Sequence, residues 1–249
     1  KKVGIHKGIE IHSLSEVPKG TGLGSSSSFT VSLFNLLYAY RGKFVPKKTL
    51  AEDACEIEID ILKEPIGKQD QYAAAFGGVN FTKFNTDGSV EIEPIRASNE
   101  VLEEIRKRLV VFYTGKVREA STILKDQNEQ VVQNLEQFEI MKKMKEIALR
   151  MKEELNNNII ENFGKSLNES WQLKKTIMKN ISLPEIEEIY KKGMNAGASG
   201  ANLSVAGGGG FIVFYCEPEN QDALRKELRN LIELNINFDK EGVKIVYAS

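Results

Sequence analysis

Apolar and polar residues alternate over 8–14, through Ile9-Glu10-Ile11-His12, which is the period of a half-buried strand. From Phe29 the period lengthens. Phe29, Leu33, Leu37 and Tyr40 recur at helical spacing, and Leu36 widens that stripe. Between the two lie Pro18-Lys19-Gly20-Thr21-Gly22-Leu23-Gly24 and then Ser25 to Ser28, so the predicted order is strand, glycine loop, helix, with hydroxyls at the helix start. Thr49-Leu50-Ala51-Glu52 reads as a capping box for a second helix, whose buried face would be Leu50, Ala54, Ile57 and Ile61. Pro65 lacks a donor and restricts the residue before it, so that helix should stop earlier. After Gly67-Lys68-Gln69-Asp70-Gln71 come an alanine-rich helical turn, Gly77-Gly78, and two short strands joined at Asp87-Gly88.

Residues 95–105 read as a junction, dividing the chain into a domain at 1–100 and another at 101–249. Leu109 to Tyr113 has the character of a strand, and 117–180 is dominated by long helical patterns. Ser182-Leu183-Pro184-Glu185 opens a further helix with proline just inside its start, ending near Gly193–Gly197. A strand at Phe211–Cys216, a helix from Gln221 to about Leu234 and a last strand at Val243–Tyr247 complete an α+β tail.

Length and charge narrow the function. The 249 residues suffice for two cores, and 41% hydrophobic with 28% charged residues is ordinary for a globular protein. A formal net charge of −1 offers no positive footprint for a nucleic-acid backbone. No apolar run reaches membrane-spanning length and no signal peptide is visible, so a cytoplasmic protein, monomer or homodimer, is expected. Cys55 and Cys216 are isolated and read as buried small residues, and His6 and His12 have no companion at metal-ligand spacing.

Three segments carry candidate chemistry. In Gly20–Ser27 the glycines permit a tight turn and leave room for a phosphate, backbone amides and the following helix N-terminus form an anion site, and serine hydroxyls can bind phosphate or a magnesium ion. A glycine turn followed by an ordinary serine cap is the plainer alternative. The segment lacks the Gly-Lys-Ser/Thr ending of a Walker loop and the Gly-x-Ser-x-Gly of a hydrolase elbow. Glu58 and Asp70 form the second signal, since a kinase needs acidic oxygens for Mg²⁺ and a carboxylate to orient the incoming hydroxyl; solvent-facing acids would look the same. The third is Gly193 to Gly210, where Gly207, Gly208, Gly209 and Gly210 run straight into an apolar strand, as close approach to a ligand or a simple flexible turn would require.

Taken together these segments resemble the GHMP kinase superfamily. Its phosphate loop Pro-x-x-x-Gly-Leu-Gly-Ser-Ser-x is matched by Pro18 to Ser27, its galactokinase-like carboxylate region by Pro65 to Gln71, and its later glycine motif by Ala206 to Gly210. The closer resemblance, over essentially the whole chain, is to bacterial D-glycero-D-manno-heptose 7-phosphate kinases, through Gly22–Phe29, Cys55–Leu62, Phe112-Tyr113-Thr114-Gly115 and Glu169-Ser170-Trp171. That resemblance implies a ribosomal-protein-S5-like N-terminal domain, truncated here, and a ferredoxin-like C-terminal domain. It implies transfer of the ATP γ-phosphate to the anomeric hydroxyl of a heptose 7-phosphate, a step toward nucleotide-activated heptose for surface polysaccharide. Asp70 would be the catalytic aspartate, and Ser26 and Glu58 would bind Mg²⁺. Gly20, Gly22, Leu23, Gly24, Ser25, Ser26, Ser27, Gly207 and Gly208 would contact ATP, while Lys116 and Arg118 are candidates for the sugar phosphate.

Two departures stand out. Family members carry an upstream motif with glycines and an aspartate that shapes the sugar site, and nothing before His12 corresponds to it, so an upstream portion of a complete enzyme is expected beyond this chain. Asn202 stands where heptose kinases commonly have lysine, and Val205 where they have glycine. Two other readings stay open: a kinase for fucose or galactose, and an inactive relative that binds nucleotide or a partner.

Overall fold

The computed structural model describes residues 2–6, 8–15, 23–115, 135–177, 183–204 and 210–247. They form two compact units, one from the described residues of 1–19, 24–94 and 238–249, the other from those of 20–23 and 95–237. The tail after Asn237 thus belongs with the first unit, where the sequence placed it in the second. Gly78 N–H donates to Asp239 O at 2.5 Å and Val243 N–H to Ala74 O at 3.0 Å. These bonds tie the tail down without forming a ladder, and Val243–Tyr247 is not a strand.

In the first unit, α1 (Ser25–Tyr40), α2 (Lys47–Cys55) and α3 (Gln69–Phe76) pack on one another beside an antiparallel hairpin, β1 (Asn80–Phe84) and β2 (Val90–Pro94). The hairpin turns at Asp87-Gly88 as expected and pairs Asn80 with Pro94 through Phe84 with Val90. Val31, Phe34, Leu50, Ala51, Ala54, Tyr72 and Ala75 form its core. The fully buried residues of α1 are therefore Ser27, Val31 and Phe34; of the expected Phe29–Leu33–Leu37–Tyr40 stripe, Leu37 packs partly buried against this core, while Phe29 is 50% and Tyr40 65% exposed. α1 is apolar on more than one side, and contact with both α2 and α3 selects the face that carries Ser27.

α2 starts earlier than expected, at Lys47 behind Pro46, without a side-chain cap, so the Thr49–Glu52 capping box does not form. It then widens into a π-helical turn, Glu56–Ile61, closed by Leu62 N–H to Ile57 O at 2.9 Å. A wider turn changes the angle between successive side chains. Glu58 stays on the buried face below Ala51 and Ala54, while Ile61, expected inside, is 57% exposed. Residues 8–15 form no strand: a strand needs a ladder, and among the described residues none pairs with them.

The second unit holds an antiparallel sheet in the order β4 (Ala198–Ser204), β5 (Phe211–Cys216), β3 (Leu109–Tyr113), β6 (Ile232–Leu234). With α4 (Asn99–Arg108) before it, α5 (Leu135–Asn156) and α6 (Phe163–Ile177) in the first crossover, α7 (Pro184–Asn195) leading into β4, and α8 (Gln221–Glu227) in the second crossover, this is the ferredoxin-like arrangement. Pro184 sits in the first turn of α7 as its sequence predicted. α8 is shorter than expected: Leu228 leaves the helix, and Ile232 to Leu234 instead pairs the free edge of β3. Trp171, Phe112, Phe214, Ile186 and Leu203 are buried in the core, and both cysteines are buried and free. α6 lies so close to β4 that a Cβ on Gly200 would fall 1.8 Å from Gly164 O. Among the described residues no helix is long and apolar enough to cross a membrane.

Candidate active site

Apart from Leu23, the described site residues gather in the first unit, around the start of α1. Gly24 precedes that helix with φ +66° and ψ 24°, a left-handed turn that only glycine adopts without strain. Ser28 N–H closes the first helical turn on Gly24 O at 2.8 Å. Ser25, Ser26 and Ser27 therefore occupy the positive end of a 16-residue helix. Ser26 is exposed and Ser27 buried, at 3%.

Glu58 is 2% exposed, yet its carboxylate is well supplied with donors. Ser26 Oγ donates to Oε1 at 2.6 Å; Ser27 Oγ at 3.0 Å and Gln71 Nε2 at 2.6 Å donate to Oε2. All three donors are neutral, and among the described residues no lysine or arginine forms a salt bridge with Glu58. Neutral donors satisfy the oxygens of this side chain without bringing a countercharge, and a cation is the natural complement of a carboxylate so placed. Hard oxygen donors from one serine and one glutamate suit Mg²⁺, which takes few protein ligands and fills its shell with phosphate oxygens and water. The described residues contain no cluster of three or more His, Cys, Asp or Glu able to hold a metal on their own.

Asp70 lies in the first turn of α3, beside Gly24. A Cβ built on that glycine would stand 3.3 Å from Asp70 Cβ and 3.5 Å from Oδ2, so the glycine leaves room for the aspartate. Desolvation, and then the negative charge of Glu58, raise the Asp70 pKa above the ordinary aspartate value. The residue nonetheless retains open surface, and a group crowded by protein on one side and solvent-facing on the other can meet a ligand. Lys68 does not neutralise either acid: its ammonium donates to Gly88 O at 2.8 Å, tying the start of α3 to the hairpin turn.

The structure thus brings Gly24, Ser26, Ser27, Glu58 and Asp70 together. It also shows two roles that the sequence left unassigned. Ser27, read as a phosphate contact, turns its hydroxyl inward to Glu58, and Gln71, read only as a neighbour of Asp70, is fully buried against the same carboxylate. The i, i+4 spacing of Gln71 and the apolar Ala75, which puts both on one helix face, was the available signal. Leu23 and Ser25 are half-buried beside the turn. Gly20, Gly22, Lys116, Arg118, Val205, Gly207 and Gly208 lie outside the described residues. Asn202 is in β4 opposite Val213, its Oδ1 buried without a hydrogen-bond partner among the described residues. Thr114 binds the glycine that ends the later motif, donating from both N and Oγ1 to Gly210 O at 2.8 and 2.9 Å.

Known proteins share this arrangement of segments. The model of the GHMP kinases N terminal domain matches residues 1–78 and that of the GHMP kinases C terminal matches 151–233. D-glycero-alpha-D-manno-heptose 7-phosphate kinase of Campylobacter jejuni is 35% identical over 238 residues, covering 94% of this chain and 69% of that protein. The chain belongs to the GHMP kinase family. A crystal structure of a Campylobacter jejuni protein named as a sugar kinase superposes on this GHMP kinase with a TM-score of 0.74 at 35% identity, covering 92% of this chain and 66% of that one. A D-glycero-D-manno-heptose 1-phosphate kinase from Bacteroides thetaiotaomicron superposes with a TM-score of 0.67 at 25% identity, covering 93% and 66%. This GHMP kinase chain therefore spans about two thirds of the length of the solved relatives it matches.

Proposed function

We propose that this GHMP kinase acts with Mg²⁺ and ATP on D-glycero-D-manno-heptose 7-phosphate, transferring the γ-phosphate to the anomeric hydroxyl to give the 1,7-bisphosphate. The observation that carries the reading is the buried Glu58 carboxylate, held by neutral donors and without a lysine or arginine partner among the described residues, near Ser26 at a helix N-terminus and Asp70 beside a left-handed glycine. The 35% likeness to a heptose 7-phosphate kinase supports this choice of substrate.

In this reading the Gly20–Ser27 loop and the N-terminus of α1 hold the phosphates, Gly207 and Gly208 complete the nucleotide contact, and Ser26 with Glu58 binds Mg²⁺. The ion, when bound, neutralises charge on the β- and γ-phosphates. Asp70 orients the anomeric hydroxyl in line with the γ-phosphorus and accepts its proton. The sugar oxygen bonds to that phosphorus, the bond to the bridging β–γ oxygen breaks, and ADP leaves. The raised Asp70 pKa brings its basicity nearer to that of the hydroxyl, which suits a proton acceptor. Lys116 and Arg118 are the proposed partners of the 7-phosphate, whose charge calls for cationic donors. ATP supply places the reaction in the cytoplasm.

Initial rates on the intact protein with heptose 7-phosphate, unphosphorylated heptose, fucose and galactose test the substrate. The account expects kcat/KM to favour the 7-phosphate by at least about tenfold, as loss of a charge-assisted contact would give. Equal values for the phosphorylated and free heptose, or a preference for fucose, would reject this substrate class.

A further inference from the structure

We infer that Gln71 is a positioning residue for the metal arm of this site: its carboxamide and the Ser27 hydroxyl hold Oε2 of Glu58, leaving Oε1 and Ser26 Oγ as the edge offered to a divalent cation. The inference rests on the Mg·ATP reading above and adds to it a residue that touches neither substrate nor metal.

The two oxygens of Glu58 are treated differently. Oε2 accepts from Gln71 Nε2 at 2.6 Å and Ser27 Oγ at 3.0 Å, and both donors are buried, at 0% and 3% exposure. Among the described residues Oε1 accepts only from Ser26 Oγ, at 2.6 Å, and Ser26 is exposed. One edge of the carboxylate is locked into the protein, and the other faces Ser26 at the start of α1. When Ser26 turns to a ligand, Oε2 keeps both its bonds and the carboxylate cannot rotate away.

Packing alone does not explain glutamine here. Gln71 Oε1 is buried with no hydrogen-bond partner among the described residues, a standing cost that leucine or methionine of similar volume would not carry. Flipping the amide does not help, because Oε1 would then face Glu58 Oε2, acceptor against acceptor. The side chain is held for its donor. Its neutrality matters equally: lysine at this position would tether Glu58 but cancel the charge that a cation needs. Gln71 also follows Asp70 directly in α3, so one helical turn sets both the metal arm and the hydroxyl acceptor.

The test measures ATP binding by calorimetry across a Mg²⁺ series and in EDTA, with kcat alongside, for the wild type, Gln71→Met and Gln71→Asn. Methionine keeps the volume without the donor; asparagine keeps the amide but withdraws it by a methylene. Removing a partner that orients a metal ligand costs about 10–100-fold in metal affinity. Both variants should therefore need about tenfold more Mg²⁺ for half-maximal ATP binding or more, keep wild-type ATP affinity in EDTA, and recover most of kcat at saturating Mg²⁺. A wild-type Mg²⁺ requirement in both variants overturns the inference. So does an equal loss of ATP affinity with and without Mg²⁺, or failure of both variants to fold, since either makes Gln71 merely structural. If Gln71→Met alone misfolds, Gln71→Asn decides. Absence of Mg²⁺-dependent ATP binding in the wild type instead overturns the parent reading.

Discussion

Gly24→Ala separates two contributions of the glycine turn, because Gly42 offers a matched control. Both glycines have φ +66°, so alanine at either meets the same backbone penalty, about 1–2 kcal/mol for a left-handed non-glycine residue. At Gly42 a new Cβ meets nothing within 4 Å; at Gly24 it meets Asp70 Cβ at 3.3 Å and Cγ at 3.4 Å. Carbon pairs are comfortable at about 3.5–4.0 Å, so Asp70 must move by a few tenths of an ångström. Each exchange should lower the unfolding midpoint by about 2–8 °C, from that penalty and the usual 2–4 °C per kcal/mol for a chain of this size. Only Gly24→Ala should also lose activity. A misplacement of about 1 Å costs on the order of 10²-fold, so a shift of a few tenths should cost several-fold in kcat. Thermal unfolding and steady-state kinetics on both variants are the assay. Equal kcat in Gly24→Ala and Gly42→Ala would refute the packing of Asp70 against this turn.

Glu58→Gln should weaken Mg²⁺-dependent ATP binding, partly restored by excess Mg²⁺, as calorimetry at two ion concentrations would show. Burial, and then Glu58, raise the Asp70 pKa, so the protonated form is favoured in the folded state. That stabilisation is complete below the ordinary aspartate pKa and is lost as pH rises through the raised one; Asp70→Asn should match the wild type in acid and unfold at a higher temperature near pH 7. For the same reason kcat should begin to fall, on acidification, at a higher pH than an ordinary aspartate would give. Gly200→Ala would press a Cβ to 1.8 Å from Gly164 O and should destabilise the protein by on the order of 1–3 kcal/mol, read as a lowered unfolding midpoint.

What the sequence made legible was whatever local chemistry determines. The Asp87-Gly88 hairpin, the strand at Phe211–Cys216 and Pro184 in the first turn of α7 each follow from residues a few positions apart. What escaped depends on distant neighbours. α1 carries Phe29, Val31, Leu33, Phe34, Leu36 and Leu37, so its period admits more than one face, and only the packing of α2 and α3 selects Val31 and Phe34. Nothing in Glu56-Ile57-Glu58-Ile59-Asp60-Ile61 announces a π-helical turn. Alternation at 8–14 suggested a strand, but alternation alone makes no ladder, whereas Ile232–Leu234 became a strand because β3 had an edge to pair. In the site, the glycine-serine loop stood out from composition. Glu58 and Asp70 gained their roles from family resemblance, and the inward turn of Ser27 and Gln71 required the fold.

The central claim is that Asp70 serves the chemical step at a Mg·ATP site built on Ser26 and Glu58. Turnover of Asp70→Asn at saturating Mg·ATP and sugar phosphate tests it most directly, with ATP affinity and circular dichroism measured on the same samples. Asparagine keeps the size and removes the charged acceptor. The account predicts a folded protein with near wild-type ATP affinity and kcat lower by about 10²–10⁴-fold, the range of a positioned acid–base group. Wild-type kcat in that variant would contradict it and remove Asp70 from the reaction.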